Sequence, residues 1–203
     1  MYQKFIKRVI DIIISFLMLV MLSPIILIIA IAIKVDSKGP AFFLQERTGK
    51  GGKNFKIFKF RTMVVETEKD GKVLNHDERM TRVGEFIRKT SLDEIPQLIN
   101  VLKGEMSIIG PRPWIPEYYK YFNKEQKHRV DVLPGITGLA QARGRNGIDI
   151  FQKIKYDVEY TKNVTFTMDV KIVLETIKTV VTKDGAEIKQ EGIQDEINML
   201  KAQ

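Results

Sequence analysis

Hydrophobic and polar positions divide this chain into a strongly apolar front and a mixed remainder. Residues 12–33 form a run of about 22 residues without a charged side chain, which is long enough to cross a bilayer. Beyond it, alternating positions predict two short strands, at 41–45 and 54–60, around a glycine-rich turn. Residues 67–77 are polar and predict an exposed loop. The 3.6-residue periodicity predicts helices over 79–89, 93–103, 149–162 and 167–182. The pattern therefore indicates an α+β fold, mostly helical, with one β-hairpin.

The apolar segment has three possible interpretations. A cleaved signal peptide would use Lys4, Lys7 and Arg8 as its basic region, but the apolar run is longer than the roughly 7–15 residues of such peptides. A plain spanning helix fits the length. It would place the two flanks on opposite sides, although both are basic, as cytoplasmic flanks are. A re-entrant helix, which leaves the bilayer on the face it entered, reconciles length with charge.

Ser23 and Pro24 favour the re-entrant interpretation. Proline removes an intrahelical hydrogen bond, which predicts a helix-break-helix at this pair. The two arms, 12–22 and 25–33, each cover about half of a hydrocarbon core roughly 30 Å thick. The Ser23 hydroxyl is expected to bond a carbonyl that Pro24 frees. We therefore divide the chain into a re-entrant membrane segment (1–36), a folded domain (37–182) and a polar C-terminal tail (183–203).

One predicted helix is amphipathic, and one further segment is a candidate for the membrane interface. Residues 167–182 are amphipathic, and residues 114–122 combine aromatic side chains with lysine, as segments at a headgroup boundary do. A partly buried aromatic helix explains residues 114–122 equally well. The expected architecture thus includes interfacial amphipathic helices.

The net charge narrows the choice of partner. The 203 residues carry 33 Lys and Arg against 25 Asp and Glu, a formal charge of +8, which indicates an anionic partner: nucleic acid, a lipid surface or phosphates. The absence of cysteine excludes disulfides, thiolate metal sites and a cysteine nucleophile. Two histidines, His76 and His128, give little support to a zinc site.

The sharpest candidate for chemistry is the acidic pair Asp93 and Glu94. Ser91 and Glu94 match the S-x-x-E capping box, and both acids fall in the first turn of a predicted helix. The helix dipole favours anions there, so Asp93 is expected to be ionised. Helix capping alone would also explain the pair.

Basic residues at strand and turn positions strengthen a functional interpretation. Lys59 and Arg61 are two residues apart on a strand and are expected to point the same way. Any one surface cation is commonly just solvated, but several together suit phosphate groups. With two acids, they suggest Mg²⁺ and a diphosphate. The candidate substrate-binding cations are Lys59, Arg61, Arg88, Arg112 and Arg145.

Three motifs resemble the bacterial sugar transferase family, the small monotopic phosphoglycosyl transferases. They are KFRTM at 59–63, SLDEIPQLINVLKGEMSIIGPRP at 91–113 and PGITG at 134–138. The resemblance covers residues 4–178, and the middle motif is long and specific. It implies transfer of a phosphosugar from a UDP-sugar to undecaprenyl phosphate with release of UMP, a reaction that starts bacterial glycoconjugate assembly.

The resemblance also implies roles for individual residues. Asp93 would be the nucleophile of a covalent phosphosugar-aspartyl intermediate, and Glu94 would hold Mg²⁺. The Ser-Pro pair would mark the re-entrant break of a monotopic enzyme on the cytoplasmic face of the bacterial inner membrane. Further polar contacts to phosphate or uridine would come from Lys59, Arg88, Arg112 and Arg145, with Asp169 as another functional position.

A non-catalytic alternative is a basic module tethered to anionic membrane lipids, which would turn over no substrate. Nucleic acid is not an expected partner, because the basic residues are spread among turns and no helix-turn-helix or RNP pattern occurs. The sequence leaves open the sugar, the pathway and the oligomeric state.

Overall fold

A computed structural model describes residues 2–69, 71–144, 147–182 and 192–203 of the chain. Its helices are α1 (Lys7–Asp36), α2 (His76–Arg79), α3 (Arg82–Lys89), α4 (Gln97–Lys103), α5 (Pro116–Tyr121), α6 (Leu139–Gly144), α7 (Ile150–Lys162), α8 (Phe166–Thr182) and α9 (Ile193–Lys201). Its strands are β1 (Phe42–Thr48), β2 (Asn54–Phe60), β3 (Glu68–Lys69), β4 (Lys72–Val73), β5 (Ser107–Ile109) and β6 (Gly135–Thr137). The mixed, mostly helical architecture agrees with the predicted class.

The predicted hairpin is formed by β1 and β2, which pair antiparallel. Strand β2 has the predicted bounds, whereas β1 runs three residues beyond its predicted end. The hairpin is joined to α4 by Asn100, whose side chain accepts a hydrogen bond from the Phe58 amide (2.9 Å) and donates to the Lys56 carbonyl (2.8 Å). Because Asn100 is fully buried, this link fixes the strand edge against the helix.

Strands β5 and β6 form a parallel pair that the sequence analysis did not predict. Gly110 follows β5 and approaches the β6 segment so closely that a Cβ atom would lie 2.4 Å from the Leu133 carbonyl oxygen. Glycine is therefore required at this position. The pairing joins segments about 28 residues apart, so no local pattern announced it. Within the predicted loop 67–77, β3 and β4 form a second small hairpin.

Helix α1 continues through Pro24 without interruption, so the predicted break into two helices is not present. Proline cannot donate to the carbonyl four residues earlier, that of Val20. The Ser23 hydroxyl donates to this carbonyl at 2.8 Å, as expected from the sequence. The side-chain bond satisfies the carbonyl that the proline leaves free, and this compensation explains how helical geometry continues.

Both ends of α1 are fastened to the rest of the fold. Near its start, Arg8 donates to the Val101 carbonyl at the end of α4, and Asp11 accepts from the Ile108 amide at 3.0 Å. At its end, Asp36 accepts from the Val83 amide at 2.9 Å. Between them, residues 16–28 contribute no buried side chain. The apolar middle of the helix is therefore mostly exposed, with Ile26 in contact with the core cluster that includes Phe60 and Ile87.

Local capping signals explain several helix boundaries. Thr81 caps α3 by accepting from the Gly84 amide, and Asp149 caps α7 by accepting from the Gln152 amide. The predicted end of α4 is confirmed, because Gly104 adopts a left-handed conformation (φ 84°). Helices α7 and α8 have their predicted bounds within one residue.

Within the predicted polar tail, α9 is an amphipathic helix that the sequence reading missed. Its Ile197 and Leu200 are buried in a core cluster with Tyr118 and Phe122 of the aromatic segment. Glu196 is also buried and accepts from the Tyr118 hydroxyl. Residues 114–122 thus include a partly buried aromatic helix, one of the two interpretations of their sequence.

Helix α8 presents an apolar face to solvent. Its opposite face is buried through Asp169 and Ile172. The outward stripe recurs at helical spacing, as the sequence predicted, and comprises Phe166, Val170, Val173, Leu174 and Ile177.

Candidate functional site

The acidic pair lies in a 3₁₀ turn, Leu92–Glu94, immediately before α4 rather than in its first turn. Ser91 enters this turn in a left-handed conformation (φ 57°), and its side chain makes no capping hydrogen bond. The predicted capping box is therefore absent. Among the described residues, Ser91 is the one non-glycine with a positive φ, and such strained backbone is concentrated at functional sites.

Glu94 is held between two cations. Its Oε1 accepts from Lys59 Nζ at 2.8 Å and from Arg112 Nη2 at 2.8 Å, and its Oε2 lies 3.5 Å from Arg112 Nη1. The side chain is 17% exposed. Burial opposes ionisation, but the charges of Arg112 and Lys59 outweigh it and hold the pKa of Glu94 far below its usual range. Glu94 is anionic at any physiological pH.

Asp93 differs from its neighbour because its carboxylate forms no hydrogen bond or ion pair within the described part of the chain. Burial, and then the charge of Glu94, raise the pKa of Asp93, while Lys59, Arg88 and Arg112 act in the opposite direction. This direction is opposite to the effect expected of a helix N-terminus. The site therefore contains one anionic carboxylate whose charge is balanced by two cations, Glu94, and one carboxylate without a partner in the described part of the chain, Asp93.

Arg112 is positioned by a buried arginine, Arg129, which no sequence motif indicated. Its carbonyl accepts from Arg129 Nη2 at 2.8 Å. Arg129 is itself paired with buried Asp157 at 2.6 Å, and its guanidinium lies over the Trp114 ring, 4.1 Å from the centroid. Burial raises the pKa of Asp157 despite this partner. The Arg112 loop thus rests on a rigid ionic and aromatic support.

Arg88 reaches the site from α3. Its Nη1 lies 2.9 Å from His76 Nε2, and its charge lowers the pKa of Asp93. Arg88 is therefore in the same electrostatic neighbourhood as Lys59 and Arg112. Arg145, the remaining predicted cation of this set, lies outside the described residues.

Arg61 has other partners than the acidic pair. Its guanidinium donates to the carbonyls of Lys38 and Ser37 and to the Ser37 hydroxyl. Arg61 is buried, and β2 has already ended at Phe60, so the strand alternation used to predict its direction does not extend to it. The structure places Arg61 where it fastens the turn after α1.

Asp169 also lies in a separate cluster. Its Oδ2 accepts from Lys7 Nζ at 2.7 Å and from the Tyr2 hydroxyl at 2.5 Å, and its Oδ1 accepts from the Tyr160 hydroxyl at 2.7 Å. Burial and Asp169 together raise the pKa of both tyrosines, which stay protonated as donors. This buried cluster joins the start of α1 to α7 and α8, and the structure does not bring Asp169 to Asp93 or Glu94.

A small cavity adjoins Glu94, and it includes Arg47, which the sequence reading missed. The strand register offered a signal, because Arg47, Ile57 and Lys59 share one face of the hairpin. Burial and the charge of Arg112 lower the pKa of Arg47 to about 10, so it stays protonated at neutral pH. The cavity is lined by Arg47, Ile57, Lys59, Glu94, Gln97, Arg112 and Pro113.

The acidic oxygens of the site suit a hard cation. No cluster of three or more His, Cys, Asp or Glu side chains occurs within the described residues. Mg²⁺ is often held by only one or two carboxylates, with water and substrate phosphates as its other ligands. Asp93, which is unpaired there, and Glu94 Oε2, with its one long contact, fit this mode of binding.

Comparisons with known proteins identify the family of this chain. The family model described as bacterial sugar transferase matches residues 2–183. An uncharacterized sugar transferase EpsL of Bacillus subtilis is 41% identical, with 88% of this chain and 89% of that protein covered. A UDP-glucose:undecaprenyl-phosphate glucose-1-phosphate transferase of Caulobacter vibrioides is 41% identical over 89% of this chain and 71% of that protein.

Other relatives are longer than this chain. A UDP-N-acetylgalactosamine-undecaprenyl-phosphate N-acetylgalactosaminephosphotransferase of Aeromonas hydrophila is 43% identical, and the alignment covers 90% of this chain but 45% of that protein. The chain therefore spans less than half of this relative.

Proposed function

The chain belongs to the bacterial sugar transferase family, and on this basis we propose that it transfers a sugar 1-phosphate from a UDP-sugar to undecaprenyl phosphate and releases UMP. The observation that carries the proposal is the unpaired carboxylate of Asp93 beside a neutralised Glu94. The chemistry named for the Caulobacter relative is of this type. The reaction would begin the assembly of a bacterial glycoconjugate, such as a capsule, exopolysaccharide, O-antigen or glycoprotein glycan.

In the proposed reaction, Asp93 acts as a covalent catalyst. A carboxylate oxygen attacks the sugar-bearing phosphorus of the UDP-sugar, and the bond from that phosphorus to the bridging oxygen breaks. The electron pair leaves with UMP, and the phosphosugar stays on Asp93 as an acyl phosphate. A phosphate oxygen of undecaprenyl phosphate then attacks the same phosphorus and releases the carboxylate. Each step forms one bond and breaks one bond.

The cations around Asp93 make this attack electrostatically feasible. An anionic nucleophile and an anionic phosphate repel each other, and positive charge held in a partly buried site offsets that repulsion. Lys59 and Arg112 are held by Glu94, so their positions are set before substrate arrives. Arg88 adds a third positive charge near Asp93.

The proposal includes Mg²⁺ as the cofactor, held by Glu94 and Asp93 together with substrate oxygens. The ion would supply positive charge that reduces the repulsion between carboxylate and phosphates. We expect EDTA to abolish UMP release and added Mg²⁺ to restore it. Full activity in EDTA would remove Mg²⁺ from the proposal.

We further propose that α1 enters and leaves the membrane on one face, the cytoplasmic face of the bacterial inner membrane. The helix has 30 residues, or about 45 Å at 1.5 Å per residue, so a perpendicular span would separate its ends by more than the hydrocarbon core. Arg8 and Asp36, near opposite ends, both bond to the same domain. The exposed apolar stripe of α8 supports seating of that domain at the lipid surface.

Cysteine labelling tests this topology, because the chain has no cysteine of its own. In sealed inside-out vesicles, Gln3→Cys and Ala202→Cys should both react with a membrane-impermeant maleimide. Labelling of the two positions from opposite sides would establish a spanning helix instead.

A substrate panel tests the activity. Purified protein is supplied with several UDP-sugars, undecaprenyl phosphate and Mg²⁺, and UMP release is measured. Without the lipid acceptor, intact-mass analysis should detect one phosphosugar adduct that is absent from Asp93→Asn protein. If no UDP-sugar yields UMP while the protein binds anionic vesicles in a salt-sensitive manner, the tethered-module alternative is supported instead.

A further inference from the structure

Arg47 is a cation at the cavity that the proposed reaction has not yet used. It lines the same cavity as Lys59, Glu94 and Arg112. Among the described residues, no carboxylate lies within ion-pair distance of its guanidinium. Lys59 and Arg112, by contrast, are both paired with Glu94.

The hydrogen bonds of Arg47 leave part of its donor capacity unused. Its Nη2 donates to Gln45 Oε1 at 2.5 Å, its Nη1 has a long contact of 3.5 Å to the Pro113 carbonyl, and its Nε is buried without a hydrogen-bond partner. A partly buried cation without a counter-ion is costly. An anion bound at the cavity beside Glu94 would reduce this cost and could accept a hydrogen bond from Nη1, whose one contact is long.

The position of Arg47 relative to the acidic pair indicates which anion this would be. Arg47 and Arg112 line the cavity beside Glu94, whereas Arg88 lies on α3, is exposed and is not among the residues that line the cavity. A diphosphate whose sugar-bearing phosphate faces Asp93 would direct its other phosphate along the cavity toward Arg47 and Arg112.

We propose that Arg47 and Arg112 form a phosphate subsite that is used twice in one catalytic cycle. In the first half-reaction it binds the phosphate that departs with UMP and stabilises the negative charge that collects there as the bond breaks. In-line displacement requires the second nucleophile to approach the phosphorus opposite Asp93, from the position that UMP has left. The phosphate of the polyprenyl acceptor would then occupy the same subsite. This inference rests on the proposed function.

The test compares Arg47→Gln with the wild-type protein in nanodiscs. UMP binding is measured by calorimetry in an Asp93→Asn background, where no turnover occurs, and the KM for undecaprenyl phosphate is measured with Asp93 present. We expect Arg47→Gln to weaken UMP binding and to raise the acceptor KM, each by about tenfold, because one charge-assisted contact is lost from both. In the wild type, UMP should inhibit competitively against undecaprenyl phosphate.

Lys56→Gln is the matched control, because Lys56 is exposed on the opposite face of the same hairpin. It should change neither value. Arg47→Lys keeps the charge but loses the planar fork, so both values should change by an intermediate factor. If Arg47→Gln does not fold, as judged by thermal unfolding, the result for Arg47→Lys decides.

Two results would overturn the shared subsite. One is wild-type values for both ligands in the Arg47 variants, and the other is weaker UMP binding with an unchanged acceptor KM. Wild-type protein that releases no UMP from any UDP-sugar would contradict the proposed function itself. The proposed function is tested by UMP release from the wild type alone. The Arg47 inference is tested by the ratios of UMP affinity and acceptor KM between each Arg47 variant and its matched reference protein.

Discussion

Two acidic clusters of this protein have opposite electrostatic designs. Asp169 is 4% exposed and accepts from one lysine and two tyrosine hydroxyls, so both of its oxygens are satisfied inside the protein. At the other cluster, Glu94 is satisfied by two cations, but Asp93 is unpaired within the described residues. Positive charge there exceeds what Glu94 neutralises.

The contrast separates a structural role from a chemical one. A fully satisfied buried network stabilises one arrangement of the chain and leaves nothing to bind a ligand. Unpaired groups in a charged, half-buried site are costly in the free protein and favourable once substrate arrives. The acidic pair therefore has the unpaired carboxylate that the proposed function needs, whereas the contacts of Asp169 join the start of α1 to α7 and α8.

The largest expected effect is on turnover. Asp93→Asn should lower the rate of UMP release by about 10³-fold or more, because an amide replaces the nucleophile with little change in shape. Asp169→Asn should keep turnover per folded molecule within about threefold of the wild type. Both rates are measured at saturating UDP-sugar and normalised to the folded fraction.

The second effect is on stability, and here Asp169→Asn should be the more damaging of the two substitutions. Asp169→Asn should lower the free energy of unfolding by about 3–5 kcal/mol, because Lys7 is left buried without its partner. Lys7→Met combined with Asp169→Asn should cost less than the two single changes added together. Unfolding is followed by denaturant titration in detergent. An Asp169→Asn protein of normal stability but no activity would place Asp169 in the chemistry and end the contrast.

A smaller effect distinguishes the two neighbouring acids. The raised pKa of Asp93 means that the folded state holds its proton more tightly, so its contribution to stability falls as pH rises from the unfolded pKa, about 3.9, through the folded one. Asp93→Asn should therefore raise stability at pH 7. Glu94 has a lowered pKa, so its contribution is present above about pH 4.3 and is lost as pH falls.

Glu94→Gln should thus lower stability at pH 7, by about 2 kcal/mol, and make stability less dependent on pH in the acid range. Unfolding curves of the two variants at pH 4 and pH 7 test both signs. Destabilisation by Asp93→Asn at pH 7 would contradict the assignment of Asp93 as the costly, unpaired group.

The smallest effect is a shift of the pH profile. Activity should fall at acid pH with an apparent pKa above that of an ordinary aspartate, because the nucleophile must be ionised. Arg88→Gln should move this acid limb to higher pH, since Arg88 lowers the pKa of Asp93. Arg88 is exposed, so the shift should shrink in 0.5 M salt, where the screening length is about 4 Å instead of about 10 Å at 0.1 M. A profile that Arg88→Gln leaves unmoved at low salt would remove Arg88 from the neighbourhood of Asp93.

Features with a local physical cause were predictable from the sequence. The apolar run identified α1, strand alternation identified the hairpin, and the bond from Ser23 to Val20 followed from the missing proline donor. Gly104 ended α4 as expected, because few other residues adopt a left-handed backbone at low cost. The motif at 91–113 likewise identified Asp93 and Glu94 as candidate residues.

Features that depend on distant segments were not predictable in the same way. The parallel pairing of β5 with β6, the packing of α9 and the support of Arg112 by Arg129 each join residues far apart in the chain. The predicted capping box does not form, because the Glu94 carboxylate pairs with Lys59 and Arg112 instead of the backbone at Ser91. Spacing along the sequence shows which residues are close in the chain. Charge pairing depends on which helices and strands come into contact in the folded protein.

The sequence by itself determined the long apolar helix, the positive charge and the pair of acids that perform the proposed chemistry. Only the tertiary structure decided which acid is neutralised and which remains unpaired. It also placed Arg61 and Asp169 in contacts away from the acidic pair and brought Arg47 to the cavity. The physical reason is that a carboxylate or guanidinium has the same chemistry wherever it occurs, and its function is set by the burial and partners that folding supplies.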